Sequence, residues 1–174
     1  MNFFNHLITR AFVARHSRVR VSPIMWRDLV AELGRRAGGV RESGAFLLAP
    51  SSGRSRRTVQ HVVYFDDVDP DSLTGGITMH SSGFDELWAI CSAHGMRVVA
   101  DVHTHPSTNV HQSDIDQRNP MIATEGHVAI IVPHLASGPI AASNCGVHTY
   151  QGAYQWGAAL GAASARLLYI GRWA

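Results

Sequence analysis

An apolar run that ends in two histidines constrains this chain more than any other feature. Val98-Val99-Ala100, followed by Val102, reads as a short buried strand that closes on His103-Thr104-His105-Pro106. Residues i and i+2 of a strand point to one face, so His103 and His105 aim two imidazoles at one point. Pro106 stiffens the exit, and a loop over 107–112 leads to a helix that starts near Ser113. Asp116, one turn into that helix, can project back as a third ligand. Any fold for this sequence must therefore bring a strand end, a loop and a helix start together.

Imidazole, imidazole and carboxylate are the ligand types a hydrolytic zinc takes when a fourth position stays open for water. Zinc lowers the pKa of bound water from 15.7 to about 7, which makes hydroxide available near neutrality. A carboxylate must then carry the proton to the leaving amine, and Glu42, upstream in Glu42-Ser43-Gly44, is the candidate base. Ser113 is the candidate hydroxyl for a tetrahedral oxyanion. Blander readings stand beside these. Ser113-x-x-Asp116 is also a helix capping box with no metal required, and that pair alone favours capping. A single histidine at a strand end is more often packing than a ligand. The joint pattern is what favours a metal site.

Two cysteines, Cys91 and Cys145, exclude a disulfide framework and fit a reducing, cytoplasmic setting. Cys145 and His148 can mimic a nucleophile pair, but their spacing in a Gly/Ser loop is a weak signal. A formal charge of +2 argues for neither nucleic acid nor a membrane surface, and no apolar run reaches the roughly 20 residues of a membrane span. All 15 basic residues are arginine. Codon bias in a GC-rich genome explains that simply; a chain working beside a lysine-modifying machinery would also gain from having no lysine. The first 27 residues hold arginines and no acid, a composition shared with transit segments, but no apolar core follows. A short N-terminal element packed on the domain is the preferred reading.

At 174 residues the chain is one domain's worth, with a core over about 19–151 and a C-terminal segment packed on it. Ser22-Pro23 opens a helix whose apolar positions are Ile24, Leu29, Val30 and Leu33, and Gly38-Gly39 stops it. Strands are expected at 18–22, 45–49, 58–65, 97–103, 127–132, 146–151 and 166–170, the second and third forming a hairpin. A helix is expected at 84–94 with Leu87, Trp88, Ile90 and Cys91 inward. The acidic run 66–71 reads as a solvated loop, and 156–165 stays unassigned. His111 lies in the loop over the site; His61, His80, His94, His127, His134 and His148 show no usable spacing.

Glu42, His103-x-His105-Pro106, and Ser113-x-x-Asp116 with seven residues between His105 and Ser113: this pattern resembles the JAMM/MPN+ metalloproteases, and the resemblance covers roughly 19–151 in element order. It implies an α/β fold, a mixed sheet sandwiched by helices in a cytidine deaminase-like arrangement. It also implies that His103, His105 and Asp116 bind zinc, that Glu42 polarises the water and that Ser113 supports the oxyanion. Family members hydrolyse the bond after the C-terminal glycine of a ubiquitin-like protein, whose extended tail lies beside an edge strand. The segment over 66–82 either contributes to such a groove or is a plain surface loop. Short stand-alone members accompany bacterial ubiquitin-activating and conjugating enzyme homologues, including those of antiphage operons. The run Val99-Ala100-Asp101-Val102 departs from the Gly-Trp pattern of many members. Two other readings are processing of a sulfur-carrier protein and a RadC-like binding module without proteolysis. Dispersal of the arginines along the sequence ranks the last lowest.

Overall fold

The computed structural model describes residues 17–74 and 76–172. Its strands are β1 (Val19–Val21), β2 (Gly44–Pro50), β3 (His61–Tyr64), β4 (Met96–Thr104), β5 (Val128–Val132), β6 (Gly146–Tyr150), β7 (Trp156–Ala159) and β8 (Leu168–Ile170). The helices are α1 (Pro23–Ala37), α2 (Phe65–Val68), α3 (Ser81–Ala93), α4 (Asp114–Arg118) and α5 (Ser164–Leu167). Six strands form one mixed sheet in the order β3-β2-β4-β5-β6-β7, while β1 and β8 pair separately and in parallel. The fold is thus mixed α/β, as the resemblance implies.

Helix α1 covers one face of the sheet. Ser22 caps it by accepting from the Met25 N–H, and Gly38 ends it at φ 57°, a left-handed conformation that glycine adopts without a Cβ clash. Its buried Leu29 and Leu33 join Leu47, Val102 and Ile130 in one cluster. Helix α3 covers the other face, where Phe46, Leu48, Phe65, Leu87 and Cys91 form a second. Phe46 and Phe65 are both fully buried, with ring centroids 4.7 Å apart. Truncating such a phenylalanine to alanine costs about 3–5 kcal/mol.

A bulge in β4 sets which face carries the polar residues. Leu47 pairs with Ala100 but Leu48 with Val98, so Val99 is an extra residue. Ala100 and Val102 then join the α1 cluster, whereas Val98 packs with the α3 cluster and Asp101 lies opposite Phe46. Period two carries the α3-side face on from Asp101 to His103 and His105. Strand β4 is parallel to β5, and their crossover contains the loop and α4. Ligand sites of such connections lie beyond the carboxyl ends of the strands.

Several expectations need correction. The acidic run is not a solvated loop: Asp66 and Asp67 sit on α2 and accept from Arg36 at 2.5 and 2.7 Å. Asp69 is buried and accepts from both the backbone and the ring of His80. The strand expected over 58–65 shortens to β3 because Phe65 turns into α2; Thr58 keeps only an isolated bridge to Arg20. Ile24 and Trp88 are 66% and 45% exposed, off the buried stripes of their helices. The unassigned stretch contains edge strand β7, whose Trp-Gly-Ala-Ala sequence carries little strand signal. The proposed N-terminal element falls outside the described residues, except for β1. Among the described residues no helix is long and apolar enough to cross a membrane.

Candidate metal centre

His103 and His105 leave the end of β4 on one face, and their Nε2 atoms stand 3.2 Å apart. Asp116 completes the group: one carboxylate oxygen lies 3.8 Å from His103 Nε2 and the other 3.4 Å from His105 Nε2. A tetrahedral zinc with bonds of about 2.0–2.1 Å requires ligand atoms roughly 3.3–3.4 Å apart. The three observed edges bracket that spacing, and among the described residues these three side chains form the one His/Cys/Asp/Glu group able to hold an ion. The residues fit a divalent cation.

Capping and ligation turn out to be one device. Ser113 Oγ accepts from the Asp116 N–H at 3.1 Å, and the Asp116 carboxylate accepts from the Ser113 N–H at 2.7 Å. This capping box fixes the aspartate rotamer that faces the histidines. Each imidazole is oriented from behind. His105 Nδ1–H donates to the Asn109 carbonyl at 3.0 Å, which leaves its Nε2 lone pair toward Asp116. His103 Nδ1 faces the Asp101 carboxylate at 3.9 Å, ion-pair reach rather than a hydrogen bond. Asp101 accepts from His127 Nε2–H at 2.6 Å.

Burial works against charge on Asp101, but His103 and His127 outweigh it and hold the carboxyl below its usual range. Burial likewise pulls His103 down, and Asp101 with Asp116 overcomes it and pushes the imidazole up to about 9. Asp116 is held far below the carboxylate range by the two histidines, again against desolvation. Two carboxylates around two imidazoles favour positive charge at the centre, whether a proton or a metal ion supplies it.

The ligand loop is stitched in place. The Leu135 N–H donates to the His105 carbonyl and the His134 N–H to that of Ser107. His134, Leu135 and Ala136 hold φ of 56°, 51° and 59° in doing so, a conformation that costs non-glycine residues on the order of 1–3 kcal/mol each. On the other side His148 Nε2–H donates to the Val110 carbonyl, and a Cβ at Gly146 would collide with that carbonyl.

Glu42 lies outside the ligand group. Ser43 pairs with Thr104 through two hydrogen bonds, and continuing the β2–β4 register sets Glu42 opposite His105. It is half-buried, with no hydrogen-bond or ion-pair partner among the described residues. Burial pushes the Cys145 thiol up to about 12, and the His148 ring is engaged elsewhere, so that pair is no nucleophile.

Asp101, His127 and Asn109 join the site only in the folded chain. The signal for Asp101 was present, since an aspartate two residues before a strand-end ligand shares its face and must find a partner once buried. His127 and Asn109 carried no comparable signal.

A cavity of about 420 Å³ opens beside the group, with Asp101, His103 and Asp116 on its polar side. Ile77, Met79, Phe84, Met121 and Trp156 supply its apolar side.

No family model matches the sequence. Among solved structures, the chain is similar to a protein from Desulfitobacterium hafniense, with a TM-score of 0.55 and 17% identity over 82% of this chain and 90% of that one. A protein from Salinibacter ruber is similar with a TM-score of 0.50 and 17% identity, covering 75% and 80%. A JAB1/MPN domain protein from Archaeoglobus fulgidus overlaps more loosely, with a TM-score of 0.42 and 18% identity over 77% and 90%. The likeness to the first two establishes the fold alone.

Proposed function

We propose that this chain is a zinc-dependent isopeptidase or peptidase that cleaves after the C-terminal glycine of a ubiquitin-like protein. The observation that carries the reading is the His103–His105–Asp116 group, whose edges suit one tetrahedral cation and whose side faces a cavity. A cation held by His103, His105 and Asp116 would supply the Lewis acidity that makes water a nucleophile near neutral pH. Glu42, opposite His105, takes the proton from the attacking water and returns it to the leaving amine. Ser113 Oγ accepts from the Asp116 N–H, so its own proton is left to donate to the carbonyl oxygen as that oxygen gains charge. Asp101 and the Asn109 carbonyl hold the two imidazoles in the ligating orientation.

The cavity gives the substrate class its second support. A glycine-ended tail is thin, and the apolar side from Ile77 to Met79 and Phe84 suits the extended residues before it. On this reading the protein works in the cytoplasm beside ubiquitin-activating and conjugating enzyme homologues. The test uses a ubiquitin-like protein bearing a C-terminal extension, incubated with wild type, Glu42→Ala and chelator-treated protein. Cleavage by wild type alone is expected; cleavage that persists in both controls contradicts the mechanism.

A further inference from the structure

A second cavity, of about 450 Å³, lies around the Met96–Val99 start of β4. His127 lines it, while Asp101, hydrogen-bonded to His127, lines the metal-side cavity, so this buried pair is part of the wall between the two. Four arginines edge the second cavity, Arg18, Arg56, Arg57 and Arg97, against one carboxylate, Glu125. Among the described residues the arginine ion pairs are those of Arg27, Arg35, Arg36 and Arg118. The four cavity arginines have none among the described residues. Residues 1–16 contain no aspartate or glutamate and so cannot supply one.

Two of these guanidinium groups are held by backbone rather than by counter-charge. Arg97 donates to the Arg56 carbonyl at 3.1 Å and Arg57 to that of Ser17 at 3.3 Å. Burial first, and then the nearby charges of Arg56 and Arg57, push Arg97 below its ordinary value. Trp88, Met96 and Ile122 contribute apolar lining, with Thr124 and His127 among the other polar groups, and the Trp88 indole stacks on Phe84 at 6.3 Å.

We propose that this cavity binds a small phosphorylated ligand with more than one negative charge, of the nucleoside diphosphate class. Guanidinium forks match phosphate oxygens in pairs, and several forks call for several charges, which a single carboxylate cannot offer. The volume suits a small molecule, and an exposed indole beside the cations suits a planar base. This inference does not depend on the hydrolytic reading of the metal centre.

Calorimetric titration of the whole chain with a nucleoside diphosphate, pyrophosphate, the bare nucleoside and a ten-nucleotide single strand tests it. One equivalent of diphosphate should bind, pyrophosphate should bind more weakly, and the nucleoside should not bind. The exposed pair of changes Arg18→Gln with Arg56→Gln should weaken the diphosphate by roughly tenfold or more. Arg27→Gln, remote and paired with Asp28, should leave it unchanged. The proposal is overturned by no binding of either phosphate, by affinity unaltered in the double variant, or by binding lost in His103→Ala with the arginines intact. The single strand binding more tightly than the diphosphate would also overturn it, by making the surface a nucleic-acid site.

Discussion

Two aspartate–histidine groupings share one face of the sheet and differ in spacing rather than composition. Asp101 and His127 close to 2.6 Å with both side chains 3% exposed. Asp116 stands 3.8 and 3.4 Å from His103 and His105 and is 22% exposed. In the first grouping donor and acceptor meet directly at hydrogen-bond distance, with no room for an ion between them. In the second, Nδ1 of each imidazole is engaged or faced from behind, and the capping box holds the aspartate back. The gaps that remain have the dimensions of a coordination sphere. Donor types do not define a metal site; the distances at which the backbone holds them do.

The largest effect expected from breaking this contrast is at Glu42. On the hydrolytic reading proposed above, Glu42→Gln should keep the metal and slow cleavage by about 10²–10⁴-fold, the usual worth of a positioned general base. Metal loss in that variant would move Glu42 into the ligand set. Asp101→Asn should weaken metal binding by about 10–100-fold, since the outer carboxylate orients His103; unchanged affinity in a metal titration would reduce the Asp101–His127 pair to packing.

Ser113→Ala removes the cap that sets Asp116, at a cost of about 1 kcal/mol, and should weaken the metal by roughly fivefold. Ser113→Thr should restore both. The smallest effect concerns Asp69, an aspartate–histidine pair away from the cavities. Its carboxyl is lowered chiefly by the His80 N–H, so the stability it contributes is present above the ordinary value of 3.8 and fades as pH falls below it. Asp69→Asn should therefore lower Tm at neutral pH by a few degrees and flatten its fall in acid. A parallel fall in both proteins would count against that pair.

Much of this arrangement is written locally. Ser22-Pro23 and Gly38 bound α1 by capping chemistry, and His103-x-His105 declares a shared face because strand period is two. Ser113 and Asp116 are legible as a capping box and as a ligand helix, and the geometry makes the two readings one. What could not be read depends on pairing between distant segments. The β4 bulge exists only against Leu47 and Leu48, yet it decides that Asp101 faces α3 rather than α1. His127 reaches Asp101 only because β5 runs parallel to β4, and its spacing in sequence carries no trace of that. The acidic run misleads for the same reason, since Arg36, which gathers Asp66 and Asp67, lies on α1, far from them in sequence.

Metal stoichiometry separates the two groupings most directly. Metal-free protein titrated with zinc should bind one equivalent, and His103→Ala should bind none. His127→Asn should still bind one equivalent, more weakly, because only the support of Asp101 is disturbed. A full equivalent retained when His103 and His105 are both alanine would place the cation elsewhere and contradict the account.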